Sequence, residues 1–148
     1  MKESTKIRRL TLNPAGKYEW ILFGLVTAEP DYRVSLALNK KLGTTLCSTT
    51  PLTIHDDNET KLMFSKFSSS SGAAGMICDL ISNRSGKSWL IRKMKNIDYF
   101  FVIYDIIEDA EISNLLSDLR ETDCINAAFI IEPGIIKDKN MKYLFHQA

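Results

Sequence analysis

Three stretches of this chain carry residues whose types and spacing suit chemistry. The first is RSGKS, from Arg84 to Ser88, which ends like a phosphate-binding loop. Such a loop also needs a glycine five residues before its Gly-Lys-Ser, and a helix after it whose N–H groups face the phosphate. Ile81 stands at the glycine position, and Trp89-Leu90-Ile91, a strand-like run, stands where the helix should begin. RSGKS therefore reads as a solvated turn. The second stretch is His55-Asp56-Asp57, an imidazole beside two carboxylates. Adjacent loop residues rarely converge on one metal ion without a ligand from elsewhere, so this too reads as a loop. The third is a basic run: Arg84, Lys87, Arg92, Lys93 and Lys95, with no acidic residue among them until Asp98.

A nucleic-acid surface combines clustered cations with exposed aromatic platforms. The aromatics here, Tyr99 to Tyr104, form a continuous apolar run better suited to a core strand. The basic run is read as a loop leading into that strand, and Arg92, Lys93, Lys95, Asp98 and Tyr99 are its candidate interaction residues. Asp98 is expected to be structural, its carboxylate accepting N–H bonds from its own turn. Neither a GxSxG elbow nor HExxH occurs, so no catalytic, metal or cofactor-binding residue is assigned and no cofactor is expected.

Composition sets the frame. With 148 residues, 45% apolar and 25% charged, the chain suits one globular domain over its whole length. A net charge of +1 gives no general attraction to RNA or anionic membranes. Cys47, Cys78 and Cys124 are too far apart for a zinc or CxxC site, and read as buried hydrophobes of a reducing compartment. Residues 1–12 lack the apolar segment of a signal peptide and read as a mobile basic tail. No apolar run approaches the ~20 residues of a membrane helix. The expected location is the cytoplasm, without membrane contact.

The elements that must position the candidate residues follow from periodicity. YEWILFGLV reads as a buried strand ending at Glu29-Pro30. DYRVSLALNKKLG reads as a helix, with Asp31 as N-cap, Lys40 and Lys41 in its last turn, and Gly43 beyond its end. Residues 44–54 suit an edge strand, and 61–67 and 76–82 suit strands joined by the Ser/Gly connector 68–75 as a hairpin. Tyr99 to Tyr104 is a core strand. Ile112, Leu115, Leu116 and Leu119 make the apolar stripe of a helix, and 125–131 is a second strand. This last strand–helix–strand is βαβ-like, its two strands parallel. A short strand or helix is expected near the C-terminus.

At LIRKMKNIDYFF, Leu90 to Phe101, the chain resembles the signature of the IPExxxVDY family, small Bacteroidetes proteins of unknown function. Ile91, Asp98, Tyr99 and Phe100 match, and Ile97 replaces a valine. Arg92 stands in place of the family's proline and Lys93 in place of its glutamate. Residues 23–43 are similar to the family's glycine-centred strand and following helix, and Leu80 to Asn83 is similar to a strand before the signature. The resemblance implies a single intracellular domain and no assigned activity.

The expectation is thus an α+β fold, a mixed or mostly antiparallel sheet carrying two principal helices. Ile112, Leu115, Leu116 and Leu119 should meet Phe101, Ile103, Phe129 and Ile131. The opposite face of Tyr99 to Tyr104 should be covered by the first helix or by a second copy in a homodimer. The expected function is non-enzymatic binding, with a protein as partner. The alternatives are RNA association through residues 84–95, and an enzyme assembled from Asp31, Asn39, Asn83, Asp98 and Tyr99.

Overall fold

The computed structural model describes residues 18–70, 76–132, 134 and 137–144. The basic segment expected over residues 1–12 lies outside them. In chain order the elements are β1 (Tyr18–Val26), α1 (Asp31–Leu42), β2 (Cys47–Ser48), β3 (Leu52–His55), β4 (Lys61–Phe64), β5 (Lys66–Ser69) and β6 (Ile77–Ser82). They continue with β7 (Arg84–Ser85), β8 (Ser88–Trp89), a 3₁₀ turn (Arg92–Met94), β9 (Tyr99–Ile107), α2 (Asp109–Glu121), β10 (Ala127–Ile131) and a short α3 (Met141–Leu144). Six strands form one antiparallel sheet in the order β10-β1-β9-β6-β5-β2, while β3–β4 and β7–β8 are separate hairpins. The fold is α+β.

Local chemistry sets the helix ends. Gly43 adopts a left-handed φ of 75° and its N–H returns to the Asn39 carbonyl, closing α1. Pro30, rather than Asp31, is the N-cap, and Asp31 sits in the first turn. In α2, Glu111 Oε1 accepts the Glu108 N–H at 3.1 Å in a reciprocal capping box.

β9 carries apolar side chains on both faces, and each face has its own core. Tyr99, Phe101 and Ile103 pack with Phe23, Val34 and Leu38 and with Ile112 and Leu119, so α1 and α2 share one side of the sheet. Phe100, Val102 and Tyr104 pack with Ile54, Phe64, Leu90, Ile91, Ile97, Met141 and Leu144. The second face is therefore covered by the β3–β4 hairpin, residues 90–97 and α3. Neither α1 nor a partner is needed there, which removes the reason for expecting a dimer through β9.

β9 and β10 are parallel and joined by α2, as expected, with β1 between them and antiparallel to both. Two further expectations are corrected. The pairings Gly24↔Phe129 and Leu22↔Ile131 place Phe129 and Ile131 on the face away from α2. Ala128 and Ile130 meet the helices instead, and Phe129 is 43% exposed. An all-apolar strand gives no alternation from which to read its facing. The strand expected over 61–67 breaks at Ser65, with β4 joining β3 and β5 joining the main sheet.

Phe101 is fully buried, with its ring 6.4 Å from that of Phe23. Phe101→Ala is expected to cost ~3–5 kcal/mol. Leu36→Ala, on the exposed side of α1, should change stability by less than ~0.5 kcal/mol. Urea unfolding followed by circular dichroism checks both.

Candidate ligand-binding cleft

Asn83 follows β6 directly and is completely buried. Its Nδ2 donates to the carbonyls of Met94 at 3.0 Å and Ile97 at 2.9 Å, and its Oδ1 accepts the Ile91 N–H at 2.8 Å. Its own N–H donates to the Asp98 carbonyl and its carbonyl accepts the Leu90 N–H. One residue thus holds residues 90–98 at five points. The segment is anchored from below by Leu90, Ile91 and Ile97, all buried. Ile97 presses on the sheet where a Cβ on Gly24 would lie 2.9 Å from its Cδ1, so the glycine permits this approach.

The clamp delivers Asp98 and Tyr99 to one end of the sheet, where β1 and β6 end and β9 begins. The Asp98 N–H donates to Leu25 O, and Asp98 Oδ2 accepts the Thr27 N–H at 3.0 Å. The carboxylate therefore serves a turn 71 residues away rather than its own. Thr27 is buried, and its hydroxyl donates to Cys124 O at 2.6 Å while accepting the Glu29 N–H. Tyr99 Oη donates to Glu29 O at 2.9 Å. Burial first, then the charges of Asp31 and Asp98, push the Tyr99 phenol up to about 12.

Around these groups lies a cleft of ≈ 700 Å³, bounded by residues 26–30, by Ser82, Arg84 and Gly86, and by Asp98, Tyr99 and Asn126. Its two carboxylates already have partners: Glu29 pairs with Arg33 at 3.1 Å, and Asp98 holds Thr27. Arg84 is exposed and lies 4.6 Å from the centre of the Trp89 ring, across the β7–β8 hairpin. Among the described residues it has no carboxylate partner. RSGKS forms that hairpin, with Gly86 at φ 61°, and no helix follows.

The five candidate interaction residues do not converge. Asp98 and Tyr99 line this cleft, whereas Arg92 lines a smaller one of ≈ 320 Å³ with His55, Asp56, Asp57, Trp89, Lys137 and Lys139. Lys93 donates to the Lys137 carbonyl, and Lys95 is exposed. In the smaller cleft Asp57 pairs with Lys139 at 2.8 Å, which holds its carboxyl below the usual range, and Asp56 Oδ1 accepts the N–H groups of Asn58 and Thr60. Of the five residues of the enzyme alternative, Asp98 and Tyr99 line the larger cleft, Asp31 is near enough for its charge to act on Tyr99, and Asn83 is bonded to Asp98, but Asn39 lies elsewhere. Asn39, at the far end of α1 from Asp31, binds both the N–H and the carbonyl of Leu46, and Asn83 is occupied as described. Sequence reasoning missed Thr27 and placed Arg84 only in a basic run. The signal for Thr27, a hydroxyl just after an apolar strand, is too common to single out a position.

Comparison with protein-family models, curated proteins and solved structures finds no match for this chain.

Asn83→Ala would leave the Ile91 N–H and the Met94 and Ile97 carbonyls unpaired. At ~1–3 kcal/mol for each buried unsatisfied group, the variant should lose ~3 kcal/mol or more in urea unfolding. Asp98→Ala is expected to cost ~1–3 kcal/mol because the hydrogen bond to a charged acceptor is lost, with Asp98→Asn retaining most of it. The Tyr99 phenol is raised above its ordinary 10.0 to about 12 in the fold. Its contribution is therefore complete below the unfolded value and is lost as pH rises from 10 toward 12. Phenolate absorbance should show an ionisation at about 12 that Tyr99→Phe removes, with stability falling over that window.

Proposed function

We propose that this chain is a non-enzymatic binding domain, related to the IPExxxVDY proteins and working in the cytoplasm, that receives a carboxylate- or phosphate-bearing partner in the cleft beside Arg84. One observation carries the reading. The cleft's acidic side chains are engaged by the fold, while its cation stands exposed on Trp89 with no carboxylate partner among the described residues. Stacking on the indole orients the guanidinium and leaves its N–H fork for a planar or tetrahedral anion.

Binding is favoured over catalysis by the state of the Tyr99 phenol in the cleft and of the Cys78 thiol in the core. Burial pushes the Tyr99 phenol and the Cys78 thiol each to about 12, so neither acts as base or nucleophile at neutral pH. Kinship with the family is supported by the work its matching residues do: Ile91 and Asp98 bond to Asn83 in the clamp, and Tyr99 and Phe100 fill the two cores. The RNA alternative is weakened because Asp56, Asp57 and Asp138 stand among Arg92, Lys137 and Lys139. The cations around Arg92 therefore form no purely basic surface. Among the described residues no helix is long and apolar enough to cross a membrane.

The test is a set of ¹H–¹⁵N spectra of the full chain titrated with inorganic phosphate, an acidic peptide and single-stranded RNA. Phosphate or the acidic peptide should move the amides of Thr27, Gly86 and Asn126, and Arg84→Gln should abolish the shifts without changing the fold. RNA should bind no more tightly than ~100 μM at physiological salt, the weak end of non-specific association. Silence of the cleft toward both anions would contradict the reading. So would submicromolar RNA binding lost on changing Arg92, Lys93 and Lys95 to Ser.

A further inference from the structure

We infer that β10 is a self-association strand, pairing antiparallel with β10 of a second copy of this chain about a two-fold axis at Phe129, so that the two sheets become one. The two edges of the sheet differ. β2 has two residues, both exposed, one a serine, and a strand so short is a poor template for pairing. β10 has five residues, all apolar, without the proline, lysine or bulge that usually blunts an edge. No described strand pairs with its outer side.

The backbone direction suits this pairing. Arg120, on α2, donates its Nε–H to the Ala128 carbonyl at 3.1 Å, so that carbonyl faces away from β1. Backbone groups alternate along an antiparallel strand, so the N–H and C=O of Ile130 face the same way. An axis at Phe129 sets Ala128 opposite Ile130 of the second copy, where the Ile130 carbonyl can accept the Ala128 N–H, and the Ala128 carbonyl exchanges its bond from Arg120 for one from the Ile130 N–H. The two Phe129 rings then meet as a close, non-hydrogen-bonded pair with Cα atoms ~4.5 Å apart. The same register places Asn126 opposite Glu132, an amide against a carboxylate, at both ends.

A second copy fits better than a lone extended peptide. Phe129 is 43% exposed on one face, and Ile130, Leu115 and Leu116 are only partly buried on the other. A peptide would cover the strand edge but not α2. A symmetric copy brings its own α2 beside the first and covers both faces. A stable interface typically buries ~1,200 Å² in total, so the pairing needs α2, beside the β10 edge, as well as the strand. This surface is separate from the Arg84 cleft, so either inference can fail alone.

Sedimentation equilibrium of the full chain at high micromolar concentration should give twice 16.8 kDa. Phe129→Lys should give a 16.8 kDa species with an unchanged circular dichroism spectrum. In a Cys47→Ser background, Phe129→Cys should form a disulfide-linked dimer on mild oxidation, while the exposed control Met63→Cys should not. A wild-type monomer, a dimer indifferent to Phe129→Lys, or equal cross-linking through Met63→Cys would each overturn the inference.

Discussion

The buried amide of Asn83 is the constraint on which the rest of the structure depends. A fully buried carboxamide is costly unless its donors and its acceptor are satisfied, and here all three bonds go to one segment, residues 90–98. That segment carries an exposed 3₁₀ turn and several cations, so little in its own sequence would hold it in place. Asn83 does so with its side chain and main chain together. Two consequences follow from the one clamp. Leu90, Ile91 and Ile97 are held against the sheet as part of the second core, and Asp98 and Tyr99 arrive at the sheet end in a fixed orientation.

From there the chain of causes runs outward to the cleft. Asp98 orders Thr27, Thr27 orders Glu29 and Cys124, and Tyr99 ties the Glu29 carbonyl. These polar groups shape the walls, and their hydrogen bonds commit them to that task. Arg84, one residue after the clamp, has its main chain held by the Ser82 hydroxyl, while its guanidinium rests on Trp89 with no carboxylate partner among the described residues. The contrast between engaged carboxylates and an unengaged guanidinium gives the cleft its proposed preference for anions.

Much of the fold was legible in the sequence, and the parts that were not share a physical cause. The stripe Ile112, Leu115, Leu116 and Leu119 and the capping glycine Gly43 are local signals, readable without a partner. The facing of β10 was not readable, because AAFII is apolar at every position and only the pairing Leu25↔Ala128 decides it. The covering of the second sheet face was also hidden. It is made by β3–β4, residues 90–97 and α3, pieces too short to show periodicity. As for the site, Asp98 and Tyr99 were visible as a polar entrance to a core strand. That Asp98 serves Thr27 depends on a contact 71 residues long, for which sequence spacing offers no sign.

The central claim is that residues 90–98 are a rigid part of the fold rather than a mobile basic loop, and native-state hydrogen exchange tests it most directly. The Ile91, Ile97 and Asp98 amides, bonded to Asn83 Oδ1, Met94 O and Leu25 O, should exchange only through global unfolding. Their exchange free energies should then match those of Phe101 and Val102 in β9. Exchange of Ile91 and Asp98 through a local opening several kcal/mol below the global value would contradict the account.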